Sequence, residues 1–106
     1  MTEQTFLKLK QKVEVDRKQG KALYSSFGAL GDSTRYVIFK VLARHEGFCV
    51  SDVAHIVGIS VSATSQQLKY LELSNLVIRK RSGRKICYEV NEGNVIARSL
   101  THLMRS

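Results

Sequence analysis

The sequence predicts a mostly α-helical fold with one small β-hairpin, and three observations predict it. Residues 51–74 run as a short apolar-periodic stretch, a tight Gly58-Ile59-Ser60 junction and a longer helical stretch with a small, polar front. Residues 76–90 hold two β-like runs on either side of a basic turn. Apolar residues recur at helical spacing at both ends of the chain, over 4–18 and from 92 to about 104. Helix, tight turn, polar-fronted helix and basic hairpin, in that order, make a winged helix-turn-helix. At 106 residues the expectation is one domain with an N-terminal helix within 1–20, a helix-turn-helix at 51–74, a wing at 76–90 and a C-terminal helix at 92–104.

Each element has its own warrant. The chain contains no proline, so boundaries must be read from glycines, caps and polarity. Residues 4–18 place Phe6, Leu9 and Val13 on one face, with Lys8, Lys10, Lys12, Arg17 and Lys18 elsewhere. Gly20 breaks the chain before a second helix over about 22–30. Asp32 caps a third, from Ser33 to about Ala43, with Val37, Ile38, Val41 and Leu42 expected inward. Glu92 to about Met104 closes the chain with Ile96, Leu100 and Leu103 in register.

In the helix-turn-helix, Val53, Ala54, Ile56 and Val57 carry the first helix, and small Ala54 lets the second cross closely. Gly58 stands where that helix must stop, in a left-handed conformation that glycine adopts without steric cost. Ser60 has the chemistry of an N-cap. The second helix, 61–73, buries Leu68 and Leu71 and presents Ser62, Thr64, Ser65, Gln66, Gln67 and Lys69. Hydroxyl and amide side chains near a helix N-terminus suit major-groove base edges, and glutamine bonds adenine bidentately. An ordinary solvated polar face is the bland alternative for such a helix.

Leu76-Val77-Ile78 and Ile86-Cys87-Tyr88-Glu89-Val90 have strand composition, with Ser82-Gly83 as the turn. Five of the seven residues from Arg79 to Lys85 are Lys or Arg. A solvated face is the bland reading of such a run; beside a reading helix, Arg79, Arg81, Arg84 and Lys85 fit a wing that grips phosphates or enters the minor groove, and phosphate contacts position without specifying sequence. Together with Ser60 these side chains form the expected DNA-binding set.

Net charge +8 and a pI near 9.8 favour double-stranded DNA as partner. No apolar run reaches spanning length and no secretion signal is recognisable, so a cytoplasmic location without membrane contact is expected. Cys49 and Cys87 do not make a secreted disulfide framework. No His-Glu-x-x-His, phosphate-cradling glycine loop or Ser/His/Asp set occurs in a compatible context, so no enzyme is expected. The terminal apolar stripes exceed what so small a core hides, and a homodimer packed through the terminal helices accommodates them. The alternative is a monomer in which both stripes close the core. A winged-helix module for protein contact, its basic wing meeting an acidic partner, is the alternative to DNA binding.

The stretch Leu30-Gly31-Asp32-Ser33-Thr34-Arg35-Tyr36 resembles the L-A/G-D-x-T-R segment of ArsR/SmtB-family winged-helix repressors. Phe48 to Ala54 is similar to the family's L-C-V-x-D-L-A, Ile59 to Lys69 to its L-S-x-S-x-V-S-x-H-L-K, and Leu76 to Arg84 to its L-V-x-x-R-x-G-R. Together these cover about residues 27–90. The resemblance implies a homodimeric repressor that leaves its operator when an effector binds. Ser33 replaces a usual proline, Val61 a frequent glutamine, Thr64 an apolar residue and Gln67 a histidine. These departures leave the operator sequence open.

The resemblance also implies where a sensor would sit. Cys49 and Asp52 match one family metal site, but its second thiol position is Ser51, and no Cys or His precedes His45. The last-helix site is not matched, since the chain reads Glu92-Gly93-Asn94 and His102 is followed by Arg105. His55, on the first reading helix, is better read as a surface residue than a ligand. One thiolate makes a poor soft-metal site, so no metal and no cofactor is expected. The thiol alternative takes Cys49 and Cys87 as candidate sensor residues, brought together if Phe48-Cys49-Val50 pairs with the second wing strand. Two small buried apolar residues are the plain reading of the same pair.

Overall fold

Three short polar side chains set the starts of three helices. Asp32 Oδ1 accepts from the amides of Thr34 at 2.9 Å and Arg35 at 3.1 Å, and Ser60 Oγ accepts from Ala63 at 3.0 Å. Asn94 Oδ1 accepts from Ile96 at 2.9 Å. Each satisfies an amide the helix leaves orphaned and contributes about 1 kcal/mol. In this computed structural model, which describes residues 2–104, these caps open α3 (Ser33–Arg44), α5 (Val61–Leu73) and α6 (Val95–Met104). The remaining elements are α1 (Glu3–Gln19), α2 (Lys21–Leu30), α4 (Val50–Val57), β1 (Val77–Ser82) and β2 (Lys85–Val90).

The fold is the winged helix-turn-helix expected from the sequence. Gly58 ends α4 with φ +83°, and its amide and that of Ile59 both donate to Ala54 O. β1 and β2 pair antiparallel from Val77↔Val90 to Ser82↔Lys85, so the loop is Gly83-Arg84 rather than Ser82-Gly83. Gly83 takes φ +62°, the left-handed backbone that a two-residue hairpin loop needs at its first position.

The core gathers on α3. Ile38, Phe39 and Leu42 meet Ala29 of α2, Val53 of α4, Leu68 and Leu71 of α5, Val77, Tyr88 and Val90 at the wing's base, and Ala97 and Met104 of α6. This corrects the expected face. Phe39 points inward, whereas Val37 is 43% exposed and Val41 only half-buried. Ile38, Phe39 and Leu42 form an i, i+1, i+4 stripe in line with Arg35, and the larger aromatic takes the centre.

Two other expectations change. α6 starts at Val95, not Glu92, because Asn91 Oδ1 accepts from Gly93 N at 3.2 Å and holds the preceding residues in a turn. The Nδ2 groups of Asn91 and Asn94 both donate to Asn75 O, at 3.0 and 2.9 Å, fastening that turn to the α5–β1 junction. Within α6 the buried face is Ala97, Thr101 and Met104, with Ile96 and Leu100 half-buried and Leu103 75% exposed. α1 buries none of its residues. Phe6, Leu9 and Val13 are about half exposed, so they do not close a monomeric core.

Candidate nucleic-acid interface

The polar front of α5 divides into two faces. Ser62, Ser65, Gln66 and Lys69 are exposed and fall at positions i, i+3, i+4 and i+7 along one side. Ser60 is also exposed, with its oxygen already accepting the cap bond. Thr64, expected in the DNA-binding set, is fully buried, and its hydroxyl donates to Ser60 O at 2.8 Å. It occupies the core-facing row, four residues before Leu68 and seven before Leu71, so it leaves the set. Gln67 is half-buried and its Oε1 accepts from Arg35 Nη1 at 3.2 Å. That bond directs the amide toward α3 rather than outward.

Arg35 is a residue the sequence reading passed over. Its Nε donates to Ala29 O at 2.7 Å, and its guanidinium lies 4.0 Å from the centroid of the Tyr70 ring. One side chain therefore joins the end of α2, the start of α3 and two turns of α5. Its place three residues after the Asp32 cap was the available signal, but a cation on an N-terminal turn reads first as a solvent-facing residue.

The wing presents its cations on both sides. Directly opposed residues share a face, so Arg79 lies with Tyr88 and Arg81 with Ile86, while Lys80 lies with Cys87. Lys80 is engaged by Glu89 at 2.8 Å. Arg79, Arg81, Arg84 and Lys85 are all exposed. Between wing and reading helix opens a cleft of about 370 Å³, with Val61 and Ser65 on one wall and Arg79 and Lys85 on the other. Burial pushes the Tyr88 phenol, at the floor of this cleft, above its ordinary value; the Glu72 carboxylate adds to the rise and Arg79 opposes it.

Cys49 also lines this cleft, and Cys87 of β2 is its partner. Cys49 forms an isolated antiparallel bridge with Cys87, the Tyr88 amide donates to Phe48 O at 3.4 Å, and the two sulfurs are joined as a disulfide. The pairing of the Phe48-Cys49 segment with the second wing strand thus has the arrangement expected of it. The Asp52 carboxylate accepts from Cys49 N at 2.9 Å, which commits it to capping α4.

Residues 32–79 match the family model described as bacterial regulatory protein, arsR family. The HTH-type transcriptional regulator NmtR of Mycobacterium tuberculosis is 32% identical over 81 residues, covering 76% of this chain and 67% of NmtR. The chain belongs to the arsR family. A transcriptional repressor SmtB homologue of Synechocystis is 36% identical over 78 residues, covering 74% of this chain. The chain spans only 58% of that relative's length, and similarly little over half of other curated relatives. Among solved structures, the homodimeric winged helix-turn-helix DNA-binding domain Mb0332 of Mycobacterium bovis superposes with a TM-score of 0.71 at 22% identity, covering 85% of this chain and 81% of that one.

The family match covers the whole helix-turn-helix and the first wing residues. It stops short of α1, α2, α6 and the whole of β2, where this member's apolar stripes and Cys87 lie. Among the described residues no three His, Cys, Asp or Glu side chains gather as a metal site. His55 is exposed on α4 and His102 exposed on α6; Arg105 lies outside the described residues. No described helix is long and apolar enough to cross a membrane.

Proposed function

We propose that this arsR-family chain is a sequence-specific, double-stranded DNA-binding repressor that works as a homodimer in the cytoplasm and carries no catalysis. The observation that carries the proposal is the shared cleft. The exposed face of α5, with Ser62, Ser65, Gln66 and Lys69, opens beside Arg79 and Lys85 of the wing. A major-groove helix flanked by phosphate-gripping cations requires that juxtaposition. Ser60 at the head of α5 and Arg81 and Arg84 on the wing are exposed as well, and exposed Val61 offers the cleft an apolar surface suited to a thymine methyl. The exposed apolar residues of α1, α2 and α6 support the dimer, and the Mb0332 domain is itself homodimeric.

Selection from a random duplex pool, followed by titration of the winning site across salt concentrations, tests this reading. A palindromic consensus bound with a steep salt dependence is expected. Binding of acidic peptides with no response to duplex would instead favour a protein-contact module.

A second reading adds a thiol switch, favoured by the Cys49–Cys87 disulfide. In a reducing compartment such a bond forms transiently, under an oxidant. Hydrogen peroxide would take two electrons and two protons from the paired thiols and leave two waters, with one S–S bond formed. The bond joins the start of α4 to β2, so it governs how the wing sits against the reading head.

A further inference from the structure

The cleft between α5 and the wing is not walled by polar groups alone. Val61 of α5, Val50 at the start of α4 and Ile86 of β2 line it together with Ser65, Arg79 and Lys85. Val50 and Ile86 are half-buried and pack against the core, whereas Val61 is 55% exposed and takes no part in it. Val61 is the first residue of α5, directly after the Ser60 cap, in the turn that a reading helix presents to base edges. The other outward side chains of that face, Ser62, Ser65, Gln66 and Lys69, are all polar. Nothing in the fold calls for an apolar residue at position 61, and a β-branched residue is a poorer helix former than alanine. Branching at Cβ leaves one strongly preferred rotamer in a helix, so both methyls of Val61 are held in place before any partner arrives.

We infer that Val61 is a specificity-determining residue that reads the C5-methyl group of a pyrimidine, thymine or 5-methylcytosine, at one base pair of each half-site; this rests on the DNA-binding reading of α5 and the wing. In the major groove base pairs differ in their donors and acceptors, and thymine alone among the standard bases adds a methyl. The polar side chains of α5 answer donors and acceptors, and Val61 is the outward residue that answers a methyl. Val50 and Ile86 extend the apolar surface of the cleft, so a methyl that enters it is drawn away from water. Arg79 and Lys85 line the same cleft, and cations that hold a backbone phosphate there fix the base step against Val61. 5-Methylcytosine carries its methyl on the same ring carbon, so the cleft favours it over cytosine.

The test takes the duplex that the full chain selects from a random pool and resynthesises it with deoxyuridine in place of one thymine at a time. Deoxyuridine keeps every hydrogen-bonding group of thymine and lacks only the methyl. At one thymine per half-site the replacement is expected to weaken binding about four-fold, and elsewhere to leave it unchanged. With cytosine at that position instead, methylation at C5 should tighten binding by about the same factor. Val61→Ser, at an exposed position outside the core, should keep its urea midpoint and bind the thymine and deoxyuridine duplexes alike. Val61→Ile should preserve the difference. A selected duplex that is indifferent to the loss of every thymine methyl overturns the assignment and leaves DNA reading standing. A difference that persists in Val61→Ser overturns it as well, because it then belongs to the shape of the duplex. Failure to select any sequence would strike the DNA-binding reading itself, and the methyl assignment with it.

Discussion

Arg35 Nη1 donates to Gln67 Oε1 at 3.2 Å while the same guanidinium lies against Tyr70, so α5 is held by α3, the helix on which the core gathers. A planar fork is needed, because one edge also reaches Ala29 O. Arg35→Ala should cost about 1–3 kcal/mol, from lost hydrogen bonds and the cation–π contact. Arg35→Lys should recover little of it. Urea unfolding measures both, and an unchanged midpoint in Arg35→Ala would show the contacts to be incidental. Because its amide is engaged from behind, Gln67→Ala should weaken all DNA sequences alike; a preference lost at a single base pair would make Gln67 a reader instead.

Gln66 and Arg84 are expected to divide specificity from grip. Gln66 is exposed in the middle of the outward face of α5, and Arg84 is exposed at the tip of the wing. Gln66→Ala should cost about 1–3 kcal/mol on the preferred site and almost nothing on scrambled duplex. Arg84→Ala should weaken both equally and lower the slope of log affinity against log salt by about 1. Binding isotherms on the two duplexes at several salt concentrations separate these outcomes. Parallel losses from both substitutions would remove the distinction.

The architecture was legible because its punctuation is chemical. Asp32, Gly58, Ser60 and Gly83 each satisfy a local backbone requirement that is independent of the rest of the fold. Which face turns inward was less legible. Val37, Ile38, Phe39, Val41 and Leu42 offer two overlapping apolar stripes on one helix, and only the tertiary arrangement selects Phe39 over Val37. Thr64 shows the same limit: a hydroxyl reads as polar front, yet its bond to Ser60 O lets it serve as a core residue. The role of Arg35 depends on contacts between distant segments, which no local pattern encodes.

The Cys49–Cys87 bond predicts a redox-dependent wing. Oxidised protein should hold β2 against the start of α4, and reduction should leave only the single backbone bridge. Hydrogen exchange in 85–90 is expected to accelerate on reduction, and DNA affinity to differ between the two states. Cys87→Ser should behave as the reduced form under both conditions. If oxidised and reduced protein exchange and bind alike, the pair is structural and the thiol reading is wrong.

Tyr88 carries a pH dependence whose sign follows from its position. Its phenol is raised above the ordinary value of 10.0 chiefly by burial. The folded state therefore holds this proton more tightly than the unfolded chain. Its contribution is complete below the unfolded value and is lost as pH rises through the folded one. Stability should accordingly fall more steeply with alkaline pH in the parent protein than in Tyr88→Phe, which has no phenol to ionise. Urea midpoints from about pH 8 to about pH 11 compare the two. Parallel curves would mean that the phenol ionises as it does in the unfolded chain.

Leu9 and Val13 test the dimer. Both lie on α1, a helix of 17 residues with none buried, and Leu23 and Phe27 of the following α2 are exposed as well. Apolar side chains exposed in this number are stable in water when another surface covers them. A two-fold axis lets the same stripe cover itself on a second copy. Leu9→Glu with Val13→Glu should therefore leave the core and the helical content intact while converting the protein to its 11.9 kDa monomer. Sedimentation equilibrium reads the mass and circular dichroism reads the helix. The monomer should still bind a half-site through α5 and the wing, but lose the added affinity of a palindrome. A parent protein that sediments at 11.9 kDa would sink the dimer outright. A double variant that remains dimeric would move the interface away from α1, to the exposed apolar residues Val95 and Leu103 of α6.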